Sequence, residues 1–215
     1  MKGRYANCWM VLAVVLLACV PAKSFGSVER TDLKGDELRA VEESLGRMEP
    51  FKKATARTED QRLYRVSSSK YRISEDGRPA KEIAEVVYFR YQGGITIRAT
   101  VGLETMELLK LEELKAYPTP LADEELAQAV TLARKESPAV QSLYAGAGEK
   151  NIELDHLVPV VSNPEDPRYG HRLVILMVAP HGKPEGVVKV EIDLTRRTVK
   201  PLESATAADS TREAR

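Results

Sequence analysis

The sequence predicts an α+β protein of two tandem modules, each consisting of one helix packed on an antiparallel meander of strands. The order of helix and then strands occurs twice, with helices that start at Asp36-Glu37-Leu38 and, 88 positions later, at Glu124-Glu125-Leu126. The strands that close the two copies, 95–103 and 187–194, end 91 positions apart. Self-similarity at a fixed period indicates a duplicated structural unit. One helix laid across each meander would cover the apolar face that the strands leave open.

These observations divide the chain into four parts. Residues 1–22 are predicted to be a signal peptide, 34–118 the first module, 119–203 the second module, and 204–215 a disordered tail without periodicity. Lys2 and Arg4 precede the apolar run 8–20, and Ala22 ends a small-residue cleavage site, which is typical of a secretory signal. An uncleaved membrane anchor is the alternative, although the run is short for a bilayer span. We therefore expect export to the periplasm or the extracellular space.

Cys19 is a candidate for lipidation. The segment Leu16-Leu17-Ala18-Cys19 resembles a bacterial lipobox, and a lipid on Cys19 would tether the chain to a membrane surface. Cys19 is otherwise one more apolar residue of the signal. Both cysteines, Cys8 and Cys19, lie in this segment, so a hydrophobic core and not a disulfide must stabilise the remaining chain.

The charge balance argues against nucleic-acid binding. Removal of residues 1–22 leaves 30 basic residues against 32 acidic ones, a net charge of −2 with both signs interspersed. Nucleic-acid-binding domains carry a clustered basic surface, which this composition does not predict.

In the first copy, a polar lead-in (23–33) precedes a helix with Asp36 as its N-cap and an apolar stripe that continues to Met48. Pro50 is predicted to end the helix, and 51–61 to form a loop. Strands are predicted at 63–66, 70–73, 83–91, 95–101 and 106–111. Gly93-Gly94 is the signal for a hairpin between two of them, and alternation over 95–101 predicts one buried face.

In the second copy, Pro118 and Pro120 mark the joint, Asp123 is the predicted N-cap, and Ser137-Pro138 closes the helix. Residues 145–148 are predicted as a loop. Strands are expected at 152–161, 171–178, 187–194 and 198–202, with a turn at 163–167 and a hairpin loop at 180–186.

The strand 190–195, the proline joint at Pro118 and Pro120 and the helix start at Glu124 form a familiar set of motifs. Through them the chain resembles, over residues 34–203, the non-catalytic N-terminal regions of copper amine oxidases. Those regions hold two cystatin-like modules, which share a strand of pattern V-x-V-D-L-T, a proline-rich joint and an acidic helix start. The segment 190–195 with Val199 matches the strand closely, and 101–105 matches it loosely, with Gly102 in place of the acid. The joint and helix are matched by Pro118, Pro120, Leu121, Glu124, Glu125, Ala129 and Ala133. The peptidase-associated PepSY modules are a second, similar family.

The resemblance implies a fold and an accessory role, with copper as the cofactor of the family. The family makes its quinone from an Asn-Tyr-Asp/Glu motif and holds copper partly with a His-x-His pair. No Asn in this chain precedes a Tyr, and His156, His171 and His181 are never two positions apart. We therefore expect no catalytic residues, cofactor or metal site of its own, and a protein partner reached through a sheet face or hairpin tips. The alternatives are an accessory protein or fragment of a copper- and quinone-linked amine oxidase and, from fold analogy alone, a peptidase inhibitor.

The candidate binding surface lies in the first module. Tyr88 is predicted on one face of its strand and Phe89 and Tyr91 on the other, so that one set would pack in the core and the other could remain exposed. His171 and His181 are expected at opposite ends of one strand, too far apart to share a metal. Met177 is interpreted as a core residue, the acids Glu124 and Glu125 as helix-dipole partners, and 67–69 as a bulge or loop.

Overall fold

The computed structural model describes residues 27–56, 62–74, 79–183 and 186–202. This part of the chain forms an α+β structure with two antiparallel sheets and four α-helices. The predicted signal segment, Cys19 and the predicted tail lie outside the described residues.

The first sheet has five strands in the order of the chain, β1-β2-β3-β4-β5. Its elements are β1 (Ser27–Asp32), α1 (Gly35–Arg47), α2 (Glu49–Ala54), β2 (Leu63–Ser74), β3 (Lys81–Arg90), β4 (Ile95–Gly102) and β5 (Leu108–Lys115). The helices α1 and α2 cover one face, where Val41 and Leu45 of α1 join a core with Val86 and Ile97 of the strands.

The second sheet has four strands in the order β6-β7-β8-β9. Its elements are α3 (Asp123–Glu136), α4 (Pro138–Ala147), a 3₁₀ turn (Glu149–Asn151), β6 (Ile152–Leu157), β7 (Leu173–Pro180), β8 (Val188–Asp193) and β9 (Thr198–Leu202). Ala129 and Ala133 of α3 and Val140 of α4 pack against the buried face of the strands.

Each module carries two helices where the sequence analysis predicted one. Pro50 does not end helical structure, because it occupies the first turn of α2, where its missing N–H costs nothing. Pro138 plays the same part at the start of α4, which also takes up residues 145–147 of the predicted loop. Asp36 and Asp123 are not N-caps. Both lie in the first turn of a helix, where a carboxylate favours the helix dipole.

The first sheet is larger than predicted. The expected lead-in contains β1, which pairs with β2 in the register Val28↔Ile73 although all six of its residues are exposed. The two expected strands at 63–66 and 70–73 are one strand, β2, with a register shift between Arg65 and Ser67. The Gly93-Gly94 hairpin is confirmed, and the amide of Gly94 donates to the carbonyl of Tyr91 at 3.0 Å. The alternating burial along β4 is also confirmed for Ile97, Ala99 and Val101.

The two sheets differ in what covers the face turned away from their own helices, which we call the outer face. On the first sheet, the outer face of β3 includes Val87 and Phe89, and both are buried in the core of the second module. On the second sheet, the outer face of β7 includes Ile175 and Met177, and both are half-buried and belong to neither core. This difference positions the candidate site.

Candidate binding surface

The three aromatic residues of the predicted surface are separated by the alternation of their strand, as the sequence indicates. Tyr88 points to α1 and α2, where its ring meets Phe51 edge-on at 5.5 Å and its hydroxyl donates to Glu42 Oε1 at 3.1 Å. Phe89 and Tyr91 lie on the outer face, and they are only 5% and 3% exposed. These positions do not leave an exposed aromatic patch, because the second module covers the outer set.

The covering module meets the outer face with aromatic packing. The rings of Phe89 and Tyr91 meet edge-on at 5.2 Å, and Tyr64 meets Tyr91 at 5.9 Å. These residues share one continuous core with α3 and the second sheet. Gln128 of α3 donates to the hydroxyl of Tyr64 at 2.7 Å, which adds a polar contact at the border. Thus the first module uses its outer face as a docking surface for the second.

A buried ion pair lies at the centre of this contact. Arg172 and Glu125 are 3% and 0% exposed, and the guanidinium binds the carboxylate through two hydrogen bonds of 3.0 and 2.9 Å. The other N–H groups of Arg172 reach the carbonyl and hydroxyl of Thr119 and the carbonyl of Pro120. All five guanidinium donors therefore have acceptors.

The carboxylate of Glu125 is equally satisfied. One oxygen accepts from the hydroxyl of Tyr91 at 2.8 Å, and the other from the amide of Ala122 at 2.9 Å, in addition to Arg172. The network therefore joins β3 of the first sheet to α3 and to the start of β7. Burial is the first cause that raises the pKa of Tyr91 above its ordinary value, and the adjacent Glu125 carboxylate raises it further. A fully connected network of this kind fixes one geometry between the modules.

Two glycines allow the closest backbone approach between the modules. A Cβ on Gly94, whose φ is +62°, would lie 1.9 Å from the carbonyl oxygen of Gly170. Gly170 itself has a φ of +81°. The hairpin turn of the first sheet thus packs directly on the backbone before β7, which only glycine at position 94 permits.

The chain before β7 covers part of the outer face of the second sheet, because Leu173 is only 2% exposed and Arg168 Nη1 lies 3.4 Å from Glu191 Oε1. Further along the strands, no folded unit comparable to the second module covers this face within the described residues. Leu157 of the edge strand β6 is 57% exposed and pairs with Ile175, and Met177 lies two residues further along β7. Asp155 and Lys189 flank Met177 on the neighbouring strands. We take this apolar row with charged borders, formed by Leu157, Ile175 and Met177, as the candidate binding surface. Met177 is therefore not the core residue that the sequence analysis expected.

The similar order of helices and antiparallel strands in the two halves relates this surface to the buried contact of the first module. Val87 pairs with Arg98 in the first sheet, and Met177 pairs with Lys189 in the second. Lys189 follows Arg98 by 91 positions, the same spacing as the two closing strands. Met177 consequently occupies in the second sheet the place of Val87, which is only 5% exposed beneath the second module.

The histidines are dispersed. His171 precedes β7 and His181 follows it, and each contacts a carboxylate: His171 Nδ1 is 2.7 Å from Asp193 Oδ2, and His181 contacts Glu153. His156 lies in β6. In the described part of the chain, no three His, Cys, Asp or Glu side chains are grouped so that they could hold a metal ion. The prediction that the chain has no copper site of its own stays a prediction.

Sequence reasoning placed Glu124 and Glu125 together as helix-dipole partners, but the structure separates them. Glu124 is exposed, whereas Glu125 is the buried partner of Arg172. Nothing in the local pattern identifies Arg172 as a buried residue. The sequence did hold a signal for the contact between the modules. The run 83–91 has apolar residues on both faces, which indicates a strand that is covered on both sides.

Comparisons with known proteins give a structural likeness only. No protein-family model matches the chain, and no curated protein matches it. Among similar solved structures is the copper-containing benzylamine oxidase from Hansenula polymorpha, which is 13% identical, with a TM-score of 0.46. The match covers 78% of this chain and 29% of the oxidase, so the chain spans less than a third of that protein. No helix in the described ranges is long and apolar enough to cross a membrane.

Proposed function

We propose that this chain is an exported, non-catalytic accessory module of two cystatin-like units, which contacts a separate protein through the outer face of its second sheet. One observation carries the proposal. The first module buries the equivalent outer face against a neighbouring folded unit, whereas Leu157, Ile175 and Met177 on the outer face of the second sheet have no such neighbour in the described residues.

The composition of the face supports a protein as the partner. An extended, flat row of Leu157, Ile175 and Met177 offers apolar area without a deep cavity, which suits a folded surface better than a small molecule. Methionine adapts its shape to different partners. Asp155 and Lys189 at the borders carry opposite charges, which favours a partner with a mixed polar rim.

The sequence supports the accessory role and the location. The resemblance of residues 34–203 to the non-catalytic region of copper amine oxidases favours a separately encoded enzyme as the partner. Residues 1–22 have the pattern of an export signal, and lipidation of Cys19 would hold the module at a membrane surface.

Site-specific photocrosslinking tests the proposal. A photoreactive amino acid in place of Met177, in the full chain produced in its native cell, is expected to form an adduct with one defined protein. The matched control places the same group at Arg39, which is exposed on α1 at a distance from either outer face. A partner captured equally from both positions, or from neither, would refute the outer face as the binding surface.

A substitution then tests whether the contact matters. Ile175→Lys places a charge on the row and is expected to weaken the captured complex at least tenfold, because a buried unpaired ammonium is costly. Lys189→Arg keeps the charge at the border and should leave the complex intact. Circular dichroism of each variant separates a lost contact from a lost fold.

A further inference from the structure

We infer that the exposed half of the outer face of the first sheet is an interface for a second copy of this chain. Five apolar side chains lie there, and none belongs to either hydrophobic core: Val28, Tyr71, Ile73, Ile83 and Leu109. Val28 and Leu109, at opposite edges of the sheet, are 63% and 58% exposed. The inference concerns a different surface from the one proposed above and does not depend on it.

The strand register assembles these side chains into one surface. Arg30, Tyr71, Ile83 and Gly102 are successive cross-strand partners from β1 to β4. Leu109 of β5 completes the row, because a Cβ on Gly102 would lie 3.7 Å from its Cδ1 atom. Val28 pairs with Ile73 in the adjacent row. The same sheet face continues into the buried contact with the second module, so one half of it already packs against a folded unit.

The row is complementary to itself. A twofold axis that runs parallel to the strands, between two facing sheets, places β1 of one copy over β5 of the other and β3 over β3. Arg30 and Leu109 lie at the two ends of one row, so they come opposite each other across the axis, and Val28 lies one row further along β1. The ring of Tyr71 lies opposite Gly102 of the second copy, where the side chains of Thr105 and Leu109 fill the space beside the glycine and Leu109 offers the apolar contact. Such an isologous contact is the commonest kind in homo-oligomers.

The charges at the two edges follow the same rule. Arg30 lies at the β1 edge, where it also donates to Ser69 Oγ at 3.0 and 3.2 Å. At the β5 edge, the carbonyl of Glu107 accepts from the amide of Gly102 at 3.0 Å, so Glu107 is the cross-strand neighbour of Gly102 and lies on its face. The twofold arrangement therefore brings Arg30 of each copy towards Glu107 of the other.

The dimensions predict a weak dimer. The contact is about 19 Å wide, because five strands lie about 4.8 Å apart, and its two rows of side chains lie about 7 Å apart along the strands. A contact of these dimensions buries less surface than a standard stable interface. Lys81 of the two copies would also meet near the axis, although at the end of the sheet, where the side chain can turn to solvent. We expect a dissociation constant in the micromolar range.

Sedimentation velocity from about 1 to about 500 μM tests the inference, with the protein purified in the form in which it accumulates in the producing cell. A concentration-dependent dimer is expected. Arg30→Glu or Glu107→Arg alone should raise the dissociation constant at least tenfold, and the double variant R30E/E107R should restore dimerisation. Leu109→Asp provides an independent disruption of the apolar contact.

Arg39→Glu on α1 is the matched control, because Arg39 is also exposed and lies on the helix side of the sheet. It should leave dimerisation unchanged. A monomer at every concentration would overturn the inference. Two other results would also overturn it: an unchanged dissociation constant in both single charge reversals, or no recovery of dimerisation in the double variant. In either case another surface would hold the copies together.

Discussion

Arg172→Met is the substitution that tests the buried contact between the modules most directly. It preserves much of the side-chain volume but removes the charge partner of Glu125 and two of the four hydrogen bonds that its carboxylate accepts. Glu125 is 0% exposed, so water cannot replace these bonds without local opening. Breaking a buried ion pair by removing one partner costs about 3–5 kcal/mol. We expect a loss of that order in the free energy of unfolding.

The assay is denaturation in guanidinium chloride followed by circular dichroism in the far ultraviolet. A domain of ordinary stability has about 5–15 kcal/mol to lose, so the midpoint should fall well outside experimental error. The double variant R172M/E125L removes both charges and should be more stable than R172M alone, because an apolar pair can replace a buried ion pair with little loss.

The two outcomes that refute this reasoning are specific. A loss below about 1 kcal/mol for Arg172→Met would mean that the pair is open to solvent and behaves as a surface salt bridge. Additive effects of the two substitutions would mean that the groups do not interact, because contacting residues give a coupling energy in a double-mutant cycle.

Three further predictions concern the same region. The pKa of Tyr91 is raised in the folded state, so its contribution to stability is complete below about pH 10 and is lost as the pH rises further, because the unfolded chain releases the proton first. One such tyrosine adds up to about 1.4 kcal/mol per pH unit to the fall of the unfolding free energy. Tyr91→Phe should remove its share of that slope, while the share of Tyr88, whose pKa is also raised, remains. Gly94→Ala should destabilise the protein by more than about 2 kcal/mol in chemical denaturation, because the new Cβ would collide with the carbonyl oxygen of Gly170 and alanine adopts this positive φ only with strain. A neutral effect would contradict the close approach. Gly146→Ala is the matched opposite, with no atom within 4 Å in α4, and thermal unfolding should show a gain of about 0.5–1 kcal/mol.

The elements that the sequence predicted are those in which local pattern and tertiary burial agree. Strand β4 alternates and has one face in the helix-covered core, and Gly93-Gly94 supplies the positive φ that the turn requires. Strand β1 was missed because all of its residues are exposed, so that only main-chain pairing with β2 defines it. Helix α2 was missed because proline can begin a helix as well as end one.

The candidate site was only partly within reach of the sequence. Alternation assigned Tyr88 and Phe89 to opposite faces correctly, but alternation describes one strand and cannot state which other element covers each face. The cover of the outer face comes from α3, about 40 positions along the chain, and depends on a pair of charges whose partners are 47 positions apart. Long-range pairing of this kind leaves no periodic trace, so it became visible only in the assembled fold.

The burial of the first sheet's outer face by the second module also changes what the repeated order of helices and strands implies for binding. If the outer face of each unit were simply solvent-exposed sheet, the first module would need no aromatic row, and polar residues would suffice there. Phe89 and Tyr91 are instead buried by a neighbour, whereas the corresponding region of the second sheet keeps a smaller apolar row with Met177. A permanent neighbour in the same chain favours large, fixed rings, and a partner that dissociates favours a flat row that remains soluble when bare. On this argument we propose the second module as the one that contacts the partner protein, and replacing Met177 by Phe should tighten the captured complex while lowering the solubility of the free protein.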